Sequence, residues 1–303
     1  MKTNTFGLSF SNSALHIIHY AGNNGKSDIE SAETFPYPFE FHFEDLLNTK
    51  KLQEIGKLVK KFKDELNIKK MELAVSLPLY FTYTKKIALP LDAEDEVIKK
   101  QVQWELEHYL PGTLSDFKVV RSDSTFSFNN YEESLFICIN KNIINNLSKM
   151  AESIDTNISK LTADNFSLDS FLRQNNIIDE KKNQIFLKID DLNIISHLFI
   201  DGKYYISFMD NIYPLRNYDF EEKQLKIAKA QSANIKNLCD HLPFTSSNDL
   251  EILVYGNSVN ESNYKLIEQN FSYSVRKLNK KHYSAINGDE ILKFIEAIGT
   301  CIS

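Results

Sequence analysis

The residues of this chain whose types and spacing could do chemistry are a histidine pair, an acidic pair, a serine before a Leu-Pro step and three cysteines. His16 and His19 lie three apart in a segment that reads as a strand. Side chains alternate along a strand, so the two face opposite sides and do not readily share a metal. Structural roles suit them better. Asp190 and Asp191 could act as a metal-binding carboxylate pair, but strand neighbours point apart, and a turn or strand end is the expectation. His108 stands beside a run of glutamates and reads as solvated. Ser76-Leu77-Pro78 lacks the G-x-S-x-G form of a nucleophile elbow, and neither H-E-x-x-H nor a Walker loop is present. Cys138, Cys239 and Cys301 are far apart and odd in number. No disulfide frame or zinc spacing follows, and a reducing compartment is expected. These patterns lead us to expect no catalytic residue, no metal and no cofactor.

Glycine usage points the same way. The chain has nine glycines in 303 residues, well under the average of about 7%. A phosphate cradle needs glycine so that backbone N–H groups can turn inward and approach the ligand, and little material for one is present. Hydrophobic residues at 42% and charged residues at 25% are ordinary globular usage, and the net charge is −6. With acids and lysines interspersed, the surface presents no field for nucleic acid. The first twenty residues alternate rather than forming a signal peptide's apolar run, and no stretch approaches the ~20 apolar residues of a spanning helix. Contact with a membrane is therefore expected only through a partner.

The elements that must position these residues follow from periodicity. Segments 6–11, 14–20 and 27–35 read as strands, with a turn at Gly22-Asn23-Asn24-Gly25 and breaks at Pro36 and Pro38. Leu52, Ile55, Val59, Phe62 and Leu66 recur at helical spacing within 44–66. Strands are expected at 71–77 and 80–89, each closed by a proline. Asp92, Glu94 and Asp95 open a helix that presents Ile98, Val102, Leu106, Tyr109 and Leu110 and stops at Pro111-Gly112. Strands at 117–121 and 134–139 and a helix at 143–154 complete a block expected to form its own subdomain. A short helix at 167–174 and a polar linker at 175–183 lead to strands at 185–189, 194–200 and 204–208. A long helix at 220–242, a strand at 250–255, a helix at 261–271, a strand at 274–278 and a closing helix at 289–301 follow. Each half begins with short strands and continues into helices, which suggests a duplicated α/β architecture.

The stretch from Ile87 to Pro111 resembles the PilM family, the actin-like, FtsA-related proteins of type IV pilus assembly. Its members carry a strand ending in Leu-Pro, an acidic helix start and a Trp-Glu-x-Glu-x-Tyr-Ile-Pro stretch, which here reads Trp104-Glu105-Leu106-Glu107-His108-Tyr109-Leu110-Pro111. Val75-Ser76-Leu77-Pro78 fits the strand before it. Gly7 to Ser13 matches the first phosphate hairpin in position, Asp201-Gly202 the turn of the second, and Phe294 to Gly299 the closing helix. The resemblance implies an α/β, actin-like (FtsA/PilM-type) fold of two lobes with an inserted small α+β subdomain. The implied divisions are 1–78 for the first part of lobe one, 79–155 for the insertion, 156–182 for a return helix and linker, 183–286 for lobe two, and 287–303 for a closing helix packed on lobe one.

The departures from the family pattern fall at its nucleotide site. Where the family has Gly-Leu-Asp-Ile-Gly, this chain has Gly7, Leu8, Ser9, Phe10 and Ser11, then His16. The second Asp-Ile-Gly falls on Lys188, Ile189 and Asp190, so a lysine replaces the carboxylate and an acid replaces the glycine. The following double glycine falls near 211–215, which has none, and the adenosine glycines are reduced to Gly256. Hydrolysis of ATP needs Mg²⁺ and a positioned water, and an anion beside phosphate repels it. The expectation is a pseudo-ATPase with degenerate phosphate loops at Ser9, Ser11, Lys188 and Asp190. The resemblance implies an adaptor that recruits an inner-membrane PilN-like protein through its N-terminal cytoplasmic peptide, with a motor ATPase and self-association as further contacts. It would sit peripherally at the cytoplasmic face of the inner membrane. Trp104, Tyr109, Leu110 and Pro111 are the candidate partner groove, in the cleft between the insertion and lobe one. Large aromatics are mostly buried, which favours a core or subdomain-interface place for Trp104 over an anchor. The alternatives are an actin-like ATPase with a remodelled but active site, or the cytoplasmic domain of a type II secretion protein of the GspL type.

Overall fold

Strand alternation and helical stripes sort the chain into three sheets. The computed structural model describes residues 3–23, 26–39, 41–190, 193–211, 220–241, 250–256, 259, 261–271, 273–278, 286 and 288–302. In the first sheet, β1 (Thr3–Phe10), β2 (Ala14–Asn23) and β3 (Lys26–Pro36) form an antiparallel meander. β4 (Glu72–Leu77) then pairs parallel with β1, and β8 (Ile158–Ala163) parallel with β4, giving the order β3-β2-β1-β4-β8. The second sheet repeats this plan. β9 (Asn183–Ile189), β10 (Asn193–Ile200) and β11 (Lys203–Asn211) form the meander, and β12 (Leu250–Tyr255) and β13 (Ser274–Lys277) add in parallel, giving β11-β10-β9-β12-β13. Parallel neighbours need helical crossovers. They are α1 (Thr49–Glu65) in the first half, and α5 (Phe220–His241) and α6 (Glu261–Asn270) in the second.

α1 starts at Asn48, whose side chain accepts from the N–H groups of Lys50 and Lys51, satisfying donors that the first turn leaves open. Its buried stripe, Leu52, Ile55, Val59 and Phe62, meets Phe6, Leu8 and Phe10 of β1 in the first core. Between β4 and β8 the chain inserts β5 (Tyr83–Pro90), α2 (Asp95–Tyr109), β6 (Phe117–Phe128), β7 (Tyr131–Asn140) and α3 (Lys141–Glu152). The three strands form a sheet of order β5-β7-β6. β7 is buried on both faces. Phe136 and Cys138 meet α2 in a small core of their own, while Ile137 and Ile139 face the first core. α3, expected with the inserted block, instead sends Ile143, Leu147, Met150 and Ala151 into the first core beside α1. Its stripe is wide enough to bury against a larger element than the small sheet provides.

α4 (Asp164–Gln174) and α7 (Ile295–Ile302) lie between the two large sheets. Their apolar residues share one cluster with Ile18 of β2, Phe186 of β9, Phe199 of β10 and Leu253 and Tyr255 of β12. α7, preceded by a 3₁₀ turn at Gly288–Lys293, packs on β1, β4 and α4. The packing is close. A Cβ on Gly299 would sit 1.8 Å from Ser167 O, and one on Gly7 would sit 2.2 Å from Ala297 O. Gly7 is therefore a helix-packing glycine. β8 is the strand that sequence periodicity misses: it is a half-exposed edge with lysine, serine and threonine among its six residues, so the usual apolar run is absent. α4 starts three residues before its expected position, at Asp164.

Candidate functional site

The β1–β2 and β9–β10 turns meet across the lobes, whereas Asp201-Gly202, expected at the turn of the second phosphate hairpin, closes the β10–β11 turn instead. In the β1–β2 turn, the Ser11 N–H donates to Ala14 O at 2.9 Å, and the Ala14 N–H donates to the Ser11 hydroxyl at 3.0 Å. In the β9–β10 turn, the Asp190 N–H donates to Asn193 O at 3.0 Å. A buried side-chain bond joins the turns, with Asn193 Nδ2 donating to Asn12 Oδ1 at 2.9 Å. Asn12 also donates to Phe41 O at 3.0 Å. Ser9 is buried on the face of β1 that turns away from the first core, and its hydroxyl has no hydrogen-bond partner.

Alternation along β9 puts Ile185, Leu187 and Ile189 into the second lobe's core and turns Phe186 and Lys188 toward the space between the lobes. The Lys188 ammonium lies 2.9 Å from Glu296 of α7 and 3.4 Å from Asp190, and all three side chains are buried. Asp164, at the head of α4, is fully buried beside them. Burial pushes its carboxyl up to about 7, with Lys188 pulling it down and Glu296 pushing it up. Burial works against the charge on Lys188, but Asp190, Glu296 and Asp164 outweigh it and hold the ammonium above its ordinary range. Tyr255 donates its hydroxyl to Glu296 at 3.4 Å. Burial, aided by Lys188, lowers His197 to about 3 and keeps the ring neutral. Its Nδ1 lies 2.7 Å from the Ser207 hydroxyl.

The described residues at these turns are engaged with one another. Lys188 is held by two carboxylates. The Ser11, Ala14 and Asp190 N–H groups are used within their own hairpins, and the Asn12–Asn193 bond spans the gap between them. Among the described residues no group of three or more His, Cys, Asp or Glu side chains is placed to hold a metal ion. Asp190 follows the end of β9, as expected; Asp191 and residues 212–215 lie outside the described residues, as does the Cys239 side chain. His16 and His19 do face opposite ways: His16 bonds Thr34 at 3.0 Å and packs on Phe294, while His19 bonds Asn4 at 3.0 Å and packs on Phe6. Glu296, Asp164, Asn12 and Asn193 were not singled out by sequence reasoning. For Glu296 a signal existed, a lone carboxylate in the apolar run Phe294 to Ile298.

A second concavity is a groove of about 340 Å³ between the inserted sheet and the first lobe. Val120 of β6, Ile137 and Ile139 of β7, Leu161 of β8 and Phe166 of α4 supply its apolar wall, with Asp123 and Asp169 also lining it. β6 and β8 are each the last strand of their sheet, so each has an edge without a strand partner among the described residues. The β6–β7 ladder is also interrupted between Arg121 and Thr125, beside the groove. Trp104, Tyr109, Leu110 and Pro111 do not line this groove. α2 packs on the opposite face of the inserted sheet, the Phe136–Cys138 face. Trp104 is 58% exposed and packs at a tilt on His108 at 4.4 Å, which corrects the expectation that it is buried. An amphipathic stripe centred on Leu106 needs only one face of α2 in the core, and position 104 falls outside it. Tyr109 is partly exposed and donates its hydroxyl to Thr84 O at 2.9 Å, Leu110 is buried in the small core, and Pro111 is exposed.

Two repeated sheets enclosing α4 and α7, with a small α/β insertion between β4 and β8, define an actin-like fold. Solved structures share it over the whole chain. A chain of the PilM–PilN type IV pilus biogenesis complex matches with a TM-score of 0.76 at 13% identity, covering 98% of this chain and 97% of that one. A Bacteroides thetaiotaomicron protein with an actin-like ATPase fold and unknown function gives a TM-score of 0.55 at 13% identity, covering 99% and 96%. The cytoplasmic domain of EpsL, an inner-membrane component of the Vibrio cholerae type II secretion system, gives 0.51 at 8% identity, covering 98% and 95%. At these identities the likeness is one of fold. No protein-family model matches the sequence, and no curated protein does.

Proposed function

We propose that this chain is a non-catalytic, actin-like assembly adaptor that captures a short peptide of an inner-membrane protein in the groove between its inserted sheet and first lobe. The observation that carries the non-catalytic half is the buried Lys188–Glu296 pair at the hairpins. It engages the Lys188 ammonium, and Ser9 offers no carboxylate for Mg²⁺ and water. The peptide half rests on the groove itself. An unpaired strand edge presents a row of N–H and C=O groups that an extended backbone can satisfy, while side pockets select alternate side chains. A preformed apolar groove also lowers the ordering cost that a short peptide must overcome.

The full-length likeness to a chain of the PilM–PilN complex supports a PilN-like partner and a pilus-type machine at the cytoplasmic face of the inner membrane. The EpsL likeness supports, more distantly, a type II secretion machine. Two measurements test the reading. Calorimetry with ATP–Mg²⁺ at millimolar concentration should give no binding, and micromolar binding would overturn the non-catalytic half. A synthetic peptide copying the cytoplasmic N-terminal segment of a PilN-type protein from the same genome should bind. Val120→Asp, on an exposed groove position, should weaken that binding by roughly 1–3 kcal/mol at an unchanged melting temperature. Wild-type affinity in this variant would move the docking site elsewhere.

A further inference from the structure

We infer that Lys188 acts as a tethered cation that, together with the Asn12–Asn193 bond, holds the two lobes closed, so that closure of this protein needs no ligand. Lys188 belongs to β9 of the second lobe, and its nearest partner, Glu296, belongs to α7, which packs on β1 and β4 of the first. Asn12 and Asn193 join the lobes a second time, at the turns. A third tie lies at the inserted sheet: Lys86 is paired with Glu133 and lies over the ring of Tyr205 of β11, whose hydroxyl donates to Glu133 at 3.2 Å.

The charge count explains why Lys188 is central. Glu296 at 2.9 Å and Asp190 at 3.4 Å pair with one ammonium in a buried space, and Asp164 is buried near them. Removing that ammonium leaves the buried Glu296 carboxylate without the cation it pairs with, which is far costlier than losing a surface pair. Two lobes that share such a site then relieve it by separating and admitting water. The Glu296 partner is the relief valve in reverse: with it neutralised, loss of the lysine leaves less charge to separate. This inference stands apart from the peptide reading, because it concerns the lobes alone.

Hydrogen exchange followed by mass spectrometry tests it without any peptide. In the wild-type protein the hairpin amides around Ser11 and Asp190 should be protected, equally with and without ATP–Mg²⁺. Lys188→Met should speed their exchange about tenfold or more while α1 is unchanged, and Lys188→Met combined with Glu296→Gln should restore most of the protection. Should Lys188→Met fail to fold, Asn193→Ala is read instead, with faster exchange expected at the turn of the first hairpin only. Added protection on ATP–Mg²⁺, or wild-type exchange in Lys188→Met (or in its substitute Asn193→Ala), would overturn the inference. Lobes that stay closed in a protein that captures no peptide would instead count against the proposed function alone.

Discussion

Asp164 and Lys188 show how burial converts ordinary side chains into a linked unit. Asp164 has a carboxyl at about 7 in the folded protein against 3.8 ordinarily, chiefly because burial disfavours its charge. Between those values the folded state keeps a proton that the unfolded chain has lost. Stability therefore falls as pH rises from about 4 to about 7, and the loss is complete above that window. Asp164→Asn removes the titration. The variant's melting temperature, relative to wild type, should rise by several degrees between about pH 5 and about pH 8. A difference that does not change with pH would mean that Asp164 is ionised throughout. Trp104 makes the opposite case. More than half exposed, and packed at a tilt on His108, it should tolerate alanine with less than about 0.5 kcal/mol lost in denaturant unfolding and with peptide capture intact. A capture defect would show that α2 carries a docking surface of its own.

At the scale of elements, α7 is seated in close contact with its neighbours. Gly7 lets it rest on β1, and Gly299 lets it cross α4. Both glycines face backbone oxygens, which cannot rotate aside as a side chain would. Gly299→Ala should therefore cost about 3 kcal/mol or more in urea unfolding, at the upper end for overpacking. Because α7 also carries Glu296, the same change should loosen the Lys188 pair, an effect readable as faster exchange at the hairpins. A neutral Gly299→Ala would mean that α4 and α7 can slide apart without penalty. β8 shows the converse: as a half-exposed edge it can carry serine, lysine and threonine between its apolar residues, which hid it from periodicity and leaves its outer edge beside the groove.

Across the whole molecule, the first and second sheets have the same strand order and the same parallel and antiparallel pairings, and the groove exists because only the first half carries the insertion. No described helix is long and apolar enough to cross a membrane. If the proposed role is right, the chain expressed alone should partition away from membranes and join them when an inner-membrane PilN-like partner is co-expressed. Fractionation with a salt wash reads this directly. Salt-resistant membrane attachment in the absence of any partner would argue for an anchor in the chain itself.

The sequence by itself determined most of the elements, because alternation, helical stripes and proline breaks are local. Through a resemblance it also led to the expectation of lost carboxylate and glycine at Ser9, Ser11, Lys188 and Asp190, since those are identities at positions which that resemblance sets. Tertiary structure alone decided what replaced them. The pairing of Lys188 with Glu296, and of Asn12 with Asn193, joins residues far apart in the chain, and no local pattern encodes which buried charge meets which. It also decided that the Trp104 to Pro111 stretch lies across the inserted sheet from the groove. A strand's alternation tells that it has two faces, but which face meets the first lobe depends on where β4, β8 and α3 close around it.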